Sequence, residues 1–322
     1  MNCTSCQSTN FKRFGKDRKG NQRYRCLSCN KTFSQPKDKP LGSMYLAEDK
    51  AEMCLKLLLE GCSVRSIERI TGVHRDTILD LLLLVGGKCE RLLEEKIHNV
   101  PVKDVQADEI WGFIQMKEKT KKRQDLNDET IGDCYTFIAI ERETKLILAW
   151  HLGRRTASDT HAFTEKLYHA TGTHFQLTTD GFGGYPDAVT HSLGTRVDYA
   201  QLVKMYAQSP EGERRYSPAE CIGAKKIPVI GNPDPERINT SHIERQNLTL
   251  RMSTRRLTRL TNAFSKKWTN MRAALALHFA FYNFCRIHST IRCTPAMEAG
   301  ITKSVWSLKD LLTATLRLDN HE

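Results

Sequence analysis

Two closely spaced cysteine pairs give the sequence its most specific chemical signal. Cys3 and Cys6 form one Cys-x-x-Cys motif, and Cys26 and Cys29 form a second. This spacing fits four thiolates around a single structural zinc ion. A segment this short buries little apolar surface, so bound metal would supply most of its stability. We predict a zinc ribbon over residues 1–37, the alternative being four ordinary cysteines.

Three acidic residues lie where carboxylates from separate elements could converge on divalent metal. Asp108 stands in the middle of a predicted buried strand, Asp180 ends a second strand, and Glu244 lies near the start of a helix. A carboxylate on a buried strand is costly unless it is paired, protonated or metal-bound. The glycines after Asp180 would let a phosphate approach the backbone closely. For each aspartate alone, a solvated acid at a strand end or turn is the alternative.

The neighbours of these acids leave two interpretations open. Adjacent residues on a strand point to opposite faces, so Asp108 and Glu109 are not expected to reach one metal, and Asp108 is the candidate. The run from Ser241 to Glu244 also fits a capping box, in which the glutamate satisfies an amide at the helix start. A lone acid in a strongly basic helical region nevertheless favours a metal ligand beside a nucleic-acid-binding face.

Composition points to a polyanionic partner. The chain has 322 residues with 49 Lys and Arg against 37 Asp and Glu, a net charge of +12. This balance favours nucleic acid, then an acidic membrane surface, over a small neutral substrate. No apolar stretch reaches the roughly 18 residues that cross a bilayer, which predicts a cytoplasmic protein, nucleoid-associated when bound to DNA. The residues predicted to contact DNA are Arg75, Arg245, Arg251, Arg255, Arg256, Arg259, Lys266 and Lys267.

A helical pattern follows the ribbon over residues 44–98. One helix begins near Glu48, Ser63 opens a second, and a third begins near His74 after a turn at Gly72. Two short helices and a glycine-containing turn are typical of helix-turn-helix domains, and Arg75 lies where the third helix would enter a major groove. The leucine-rich body of that helix favours packing or dimerisation over DNA contact.

The remaining chain predicts a mixed α/β sheet with C-terminal helices over residues 102–300. Strands are expected over 104–115, 134–141, 145–152, 175–179 and 195–203, with helices over 158–170 and 186–192 and from residue 241. Strands first, then alternating strands and helices, indicate helices on the faces of a mixed sheet. Five prolines between residues 207 and 237 predict an inserted surface loop, and residues 301–322 a C-terminal tail.

In these motifs the chain resembles bacterial and archaeal transposases of the insertion-sequence-one type, which have a DDE catalytic domain of ribonuclease H-like fold. The resemblance covers nearly the whole chain. It is carried by the cysteine ribbon, the helix-turn-helix pattern and a collinear series of short motifs. These are Asp108-Glu109-Ile110-Trp111, Thr179-Asp180-Gly181, Arg214-Arg215-Tyr216-Ser217-Pro218, Ser241-His242-Ile243-Glu244-Arg245-Gln246-Asn247-Leu248, Arg255-Arg256-Leu257-Thr258-Arg259, Phe264-Ser265-Lys266, Tyr282-Asn283-Phe284-Cys285-Arg286-Ile287-His288 and Thr294-Pro295-Ala296.

The resemblance implies that Asp108, Asp180 and Glu244 are a catalytic triad holding two Mg²⁺ or Mn²⁺ ions for phosphoryl transfer on DNA. It further implies that Arg251 occupies a basic position common in DDE enzymes. The chain would bind terminal inverted repeats, free a 3′-hydroxyl and join it to target DNA as a homodimer or larger assembly. The alternatives are a catalytically silent DNA-binding regulator and a ribonuclease H-like nuclease that cuts without joining.

Overall fold

The computed structural model describes residues 1–18, 20–34, 41–42, 44–207, 221–259 and 261–314. The chain divides into two compact units, Met1–Ser43 and Met44–Glu322. The first unit carries the cysteine pairs and the second carries all three candidate acids. The predicted division of the second unit near residue 100, between a helical domain and a sheet domain, stays a prediction.

The first unit is a small antiparallel sheet, ordered β1 (Phe11–Lys16), β2 (Gln22–Cys26) and β3 (Thr32–Ser34). Its hydrophobic cluster contains Cys3, Cys26 and Phe33, with Phe11 and Tyr24 packed against them. The rings of Phe11 and Phe33 meet edge to face with centroids 5.6 Å apart. A hydrophobic cluster this small contributes little stability, so a bound metal would supply part of the stability of this unit.

The second unit begins with three helices at the predicted positions, α1 (Glu48–Leu59), α2 (Val64–Thr71) and α3 (Arg75–Lys96). Ser63 caps α2 by accepting a hydrogen bond from the Ser66 amide, and Gly72 ends the helix with a left-handed φ of 69°. Only glycine adopts that backbone conformation without strain. The use of these helices as a DNA-binding helix-turn-helix stays a prediction.

A six-stranded mixed sheet follows, ordered β6-β5-β4-β7-β8-β9. Strands β4, β5 and β6 are antiparallel, β7 and β8 run parallel to β4, and β9 returns antiparallel to β8. The mixed α/β class predicted from the sequence is confirmed. Its elements are β4 (Asp104–Ile114), α4 (Glu118–Arg123), β5 (Gly132–Glu141), β6 (Ile147–Gly153), α5 (Ala157–Ala170), β7 (Phe175–Asp180), α6 (Tyr185–Ser192), β8 (Val197–Tyr206), β9 (Cys221–Ile230), α7 (Ser241–Ser253), α8 (Trp268–Phe284), α9 (Pro295–Glu298) and α10 (Leu308–Ala314).

Side-chain alternation along the strands assigns the helices to the two faces of the sheet. Phe137 of β5 stacks near Phe163 of α5, with ring centroids 5.6 Å apart. On the opposite face, Trp150 of β6 lies 5.5 Å from Phe279 of α8. Helices α5 and α6 therefore cover one face, while α7 and α8 cover the other.

Helix α3 packs closely against α8, which accounts for its leucine-rich body. A Cβ atom at Gly86 of α3 would lie 2.5 Å from the Cα atom of Ala273 in α8. Leu81, Leu82 and Val85 of α3 are buried nearby. Packing inside this unit therefore explains the apolar surface that the sequence assigned to packing or dimerisation.

Two local predictions are wrong. The predicted loop over residues 207–237 contains strand β9, because Pro228 pairs with Ala200 on an edge strand, where a missing backbone donor is tolerated. The motif at residues 214–218 lies outside the described residues. Helix α5 was predicted to begin at Ser158, but it begins at Ala157, and its cap is Thr156, whose hydroxyl accepts a hydrogen bond from the Asp159 amide.

We predict that Asn283 is essential for stability because it completes the sheet edge. Its buried side chain accepts a hydrogen bond from the Ile147 amide at 3.0 Å and donates one to the Ile147 carbonyl at 2.9 Å. Asn283→Leu would leave both backbone groups of edge strand β6 buried and unpaired, at a cost of about 2–4 kcal/mol in the free energy of unfolding. Denaturant unfolding measures this cost. Asn270→Leu, on the same helix but half-exposed, is the control, and equal losses in both variants would contradict the prediction.

Candidate active site

The register of two parallel strands brings Asp108 and Asp180 together. Strand β4 pairs with β7 from Asp104 to Ala107, and the last pair joins Ala107 to Thr179. The next residues along the two strands are Asp108 and Asp180. Neighbouring strands lie about 4.8 Å apart, so the two carboxylates meet at the carboxyl end of this ladder.

Helix α7 is fixed above this point by Gln106, a fully buried residue of β4. The side-chain oxygen of Gln106 accepts hydrogen bonds from the amides of His242 and Ile243 at 2.9 and 3.2 Å. Its side-chain nitrogen donates to the Asn239 side chain at 2.7 Å. The first turn of α7, which carries Glu244, is thereby held to the strand that carries Asp108. Sequence reasoning missed this role, although Gln106 and Asp108 share a strand face by simple alternation.

Asp108 lies among donors and other acids. Its carboxylate accepts a hydrogen bond from the Glu109 amide at 2.8 Å and another from the Asn247 side chain at 2.7 Å. Desolvation, followed by repulsion from Asp180, raises the pKa of Asp108 to about 6. The metal-free site therefore holds more negative charge than its hydrogen bonds offset.

The expectation that Glu109 lies apart from Asp108 is wrong. Oxygen atoms of Asp108, Glu109 and Asp180 all lie within 4.8 Å of one another, close enough to share a cation. Glu109 does leave the opposite face of β4, where it pairs with Phe137 of β5. Alternation fixes only the Cβ direction, and beyond Ala107 no β7 partner separates the two faces, so the longer glutamate side chain brings its carboxylate to the strand end.

Glu109 differs from the other acids in its surroundings. Its side chain is only 2% exposed and accepts a hydrogen bond from the Arg155 guanidinium at 3.0 Å. Burial, with repulsion from Asp180, raises its pKa to about 7. The same guanidinium lies 3.8 Å from Asp180 and stacks 4.1 Å above the Phe182 ring. Arg155 therefore offsets charge on one side of the acidic group, a role that the sequence did not predict.

The capping-box interpretation of Glu244 is wrong. The cap of α7 is Thr240, one residue before the predicted Ser241, and no side chain caps the helix amides. Instead the Thr240 hydroxyl and the Lys204 ammonium both donate to the Glu244 carboxylate. Glu244 lies outside the tight group of three acids, yet close enough that its charge also raises the pKa of Asp108.

These residues surround an open cleft with a volume of about 580 Å³. Asp108, Asp180 and Glu244 all line it, which brings the three predicted acids into one cavity. Gly181 and Gly183 form part of its wall and leave the backbone accessible to a ligand. The rest of the wall is formed by Arg155, Phe182, Leu202, Val203, Lys204, Tyr206 and Thr240.

The donor set fits a hard divalent cation. The acidic side chains in and beside the cleft offer carboxylate oxygens, which Mg²⁺ and Mn²⁺ prefer as ligands. Burial, followed by repulsion from Asp180, raises the pKa values of Asp108 and Glu109, and a divalent ion would offset both effects. Asp108, Asp180 and Glu244 would hold such ions from the cleft, while Glu109 would approach from the opposite strand face.

The predicted DNA-contacting residues fall into two groups. Arg251 is engaged inside the fold, donating to the carbonyl oxygens of Leu257 at 2.9 Å and Trp111 at 3.3 Å. Arg256 is half-buried, and desolvation lowers its pKa to about 10. Helix α7 ends at Ser253, so Arg255 and the basic residues after it lie outside the helix that carries Glu244. The exposed members are Arg75, Arg245, Arg255, Arg259, Lys266 and Lys267.

The four cysteines of the first unit gather at one point. One sulfur from each of Cys3, Cys6, Cys26 and Cys29 lies within 4.8 Å of the others. Cys3 Sγ lies 3.6 Å from Cys29 Sγ, and Cys6 Sγ lies 3.5 Å from Cys26 Sγ. Backbone hydrogen bonds from the Cys29 region lower the pKa of Cys26, while hydrogen bonds from the other thiols raise that of Cys6, so the four sulfurs titrate as one group. The cluster fits the zinc site predicted from the spacing.

Comparisons with known proteins give no family assignment. No family model matches the chain, and no curated protein matches its sequence. Endonuclease V from Bacillus subtilis aligns at 14% identity over 64% of this chain and 91% of its own, with a TM-score of 0.21. A piggyBac transposase synaptic complex with hairpin DNA aligns at 11% identity over 87% of this chain and 76% of its own, with a TM-score of 0.35. Similarity this low does not assign a function to the chain. Among the described residues, no helix is both long and apolar enough to span a membrane.

The charge on Asp108 should destabilise the metal-free fold in a pH-dependent way. Its pKa in the folded chain lies above the ordinary value, so protonation stabilises the fold, and this stability is lost as the pH rises through about 6. Asp108→Asn should therefore raise the unfolding free energy at pH 8 by on the order of 1–3 kcal/mol, with a smaller gain at pH 5. The unpartnered Asn247 oxygen can accept the new amide after a side-chain flip.

Thermal melting with and without Mg²⁺ tests this prediction. Mg²⁺ should raise the melting temperature of the wild-type chain and have little effect on Asp108→Asn. Asp128→Asn, at an exposed acid remote from the cleft in sequence, is the control. If the unfolding free energy gained by Asp108→Asn did not change with pH, the electrostatic explanation would be contradicted.

Zinc should hold the first unit together. Cys26→Ser removes a buried thiol from the cluster and should lose about one equivalent of bound zinc, while leaving the second unit folded. Metal analysis and limited proteolysis measure both effects. Cys221→Ser, which alters an exposed cysteine in the second unit, is the control, and a zinc-free yet protease-resistant first unit in the wild-type chain would exclude the metal.

Proposed function

We propose that the chain is a DNA transposase of the insertion-sequence-one type, with a ribonuclease H-like catalytic domain that performs metal-dependent phosphoryl transfer. The observation that carries the proposal is the convergence of Asp108, Asp180 and Glu244 on one open cleft. These acids come from two strands and a helix that are far apart in sequence. The antiparallel β4–β5–β6 meander, followed by parallel β7 and β8, supports the proposed domain type.

In this proposal the three acids hold two Mg²⁺ or Mn²⁺ ions. Such ions activate the attacking oxygen and stabilise the leaving oxygen during phosphoryl transfer. Asp108, at the end of the β4–β7 ladder, is close enough to both Asp180 and Glu244 that each raises its pKa further after desolvation, and it would contribute to both positions. The glycine-lined wall after Asp180 gives a DNA phosphate room to approach, and the Tyr206 and Phe182 rings offer surfaces on which a nucleotide can pack.

Cations beside the cleft suit a polyanionic substrate. Lys204 and Arg155 each pair with an acid in the absence of metal. When divalent ions neutralise those acids, the two cations become available to the phosphate backbone. A second basic group, Lys145, Arg245 and Arg286, surrounds His288: burial lowers the pKa of His288, and the charges of these three residues lower it further. DNA that approaches the cleft could contact the exposed Arg245 and Arg286 of this group.

The N-terminal part of the chain would bind the ends of the element. The zinc ribbon and the helices α1–α3 would recognise terminal inverted repeats, with Arg75 exposed at the start of α3. Transposition joins two element ends, so a homodimer or larger assembly belongs to the proposed function.

A strand-transfer assay with labelled element ends and Mg²⁺ tests the function. Cleavage followed by joining to target DNA is the result expected of a transposase. Cleavage without joining would replace the proposal with a nuclease, and binding without cleavage would replace it with a DNA-binding regulator. The DNA that flanks the gene supplies the candidate end sequences.

Glu244→Gln should abolish cleavage while preserving the fold and DNA binding. The amide keeps the length of the side chain and can still accept from Thr240, but it loses the charge that a metal ligand needs. We expect cleavage to fall by at least 100-fold, on the order seen when a single charge-stabilising group is removed from a catalytic site.

Glu109→Gln is the matched variant, because Glu109 belongs to the tight acidic group but is held by Arg155. We expect it to lose less activity than Glu244→Gln. Cleavage rates, end binding and thermal melting are compared for the two variants and the wild type. The reverse order would assign Glu109 as the third ligand, and activity of Glu244→Gln within a few-fold of wild type would remove Glu244 from the site.

A further inference from the structure

A second group of metal-ligating side chains lies on the helices that follow the cleft. His161 belongs to α5, whereas Asp187 and His191 belong to α6. His161 Nε2 lies 3.0 Å from Asp187 Oδ2, and His191 Nδ1 lies 3.4 Å from Asp187 Oδ1. One donor atom from each residue lies within 4.8 Å of the other two. None of the three lines the acidic cleft.

The spacing on both helices directs these side chains toward one another. Asp187 and His191 are four residues apart and share a face of α6. Beside them, the Thr164 hydroxyl of α5 contacts the Ser192 hydroxyl at 2.8 Å and donates to the Ala188 carbonyl at 3.3 Å. These contacts fix the two helix backbones next to the cluster. Helix packing therefore holds the backbones that carry His161 and His191 close together before any ligand binds.

The separations fit a single transition-metal ion. Zinc lies about 2.0–2.1 Å from histidine nitrogen and about 2.0–2.2 Å from carboxylate oxygen, so tetrahedral donors are roughly 3.3 Å apart. His161 contacts one oxygen of the Asp187 carboxylate at 3.0 Å and His191 contacts the other at 3.4 Å, so an ion between the imidazoles would be held by one or both of these oxygens. His191 Nδ1 also lies 3.1 Å from the Asp187 carbonyl oxygen, a contact that a metal ion at this nitrogen would replace.

We propose that His161, Asp187 and His191 form a binding site for a borderline divalent ion such as Zn²⁺, Ni²⁺ or Co²⁺. Two imidazoles and one carboxylate select these ions over the Mg²⁺ that suits an all-carboxylate cleft. The side chains of Asp187 and His191 are 68% and 69% exposed, which leaves a coordination position open to water. The alternative is a pair of histidine–aspartate hydrogen bonds with no ion.

Bound metal would tie α6 to α5. Helix α6 begins at Tyr185, directly after the glycine-rich segment that forms a wall of the cleft. A metal bridge between the helices would stabilise this part of the fold against unfolding. The site stands on its own residues and does not depend on the proposed transposase activity.

The test is a Ni²⁺ titration of the full chain by calorimetry, with the cysteine cluster already loaded with zinc and the cleft supplied with millimolar Mg²⁺. The wild-type chain should bind one equivalent of Ni²⁺ and melt at a higher temperature when it is bound. Asp187→Asn and His191→Gln should each weaken this binding more than tenfold. Both positions are exposed, and circular dichroism checks that the variants are folded.

His174→Gln is the matched control, because His174 lies 3.7 Å from Asp198 in an ordinary histidine–aspartate pair. It should bind Ni²⁺ as the wild type does. Absence of a saturable Ni²⁺ signal in the wild type, or equal binding by His191→Gln and His174→Gln, would overturn the site. Ni²⁺ that enters the cysteine cluster would bind all variants equally and so would count against the proposal.

Discussion

The candidate active site depends on the register of β4 against β7 and on one buried amide. Pairing Ala107 with Thr179 sets Asp108 beside Asp180, and a slip by one residue would turn one of them to the other face of the sheet. Gln106, two residues before Asp108, then holds the first turn of α7 through the His242 and Ile243 amides. Residues 106–108 of β4 thus carry Asp108 and also position Glu244.

Positively charged partners on both faces of β4 offset the repulsion within the cluster of acids. Arg155 pairs with Glu109 on the side of α5, and Lys204 pairs with Glu244 on the side of α7. Asp108 accepts hydrogen bonds from neutral groups, the Glu109 amide and the Asn247 side chain. Because neither donor carries a full charge, they do not offset the desolvation and the repulsion from Asp180 that raise the pKa of Asp108.

The sequence predicted the sheet, the helices and the acids because each follows from local pattern. Strand periodicity located β4 and β7; Asp108 was singled out as a carboxylate in the middle of a buried strand, and Asp180 as the acid that ends the next one. The roles of Gln106, Arg155 and Lys204 could not be predicted, because each depends on which elements the fold places side by side. Strand β9 was missed for a related reason, since Pro228 excludes a central strand but not an edge strand.

Glu109 shows where a local rule ends and tertiary geometry takes over. Alternation correctly places it on the face opposite Asp108, yet at a strand end that difference does not separate the two carboxylates. Burial, followed by repulsion from Asp180, raises the pKa of Glu109 to about 7, so this acid can accept or release a proton near neutral pH. If the cleft holds divalent ions, Asp108 would bind them from one face of β4, while Glu109 would adjust the charge of the site from the other.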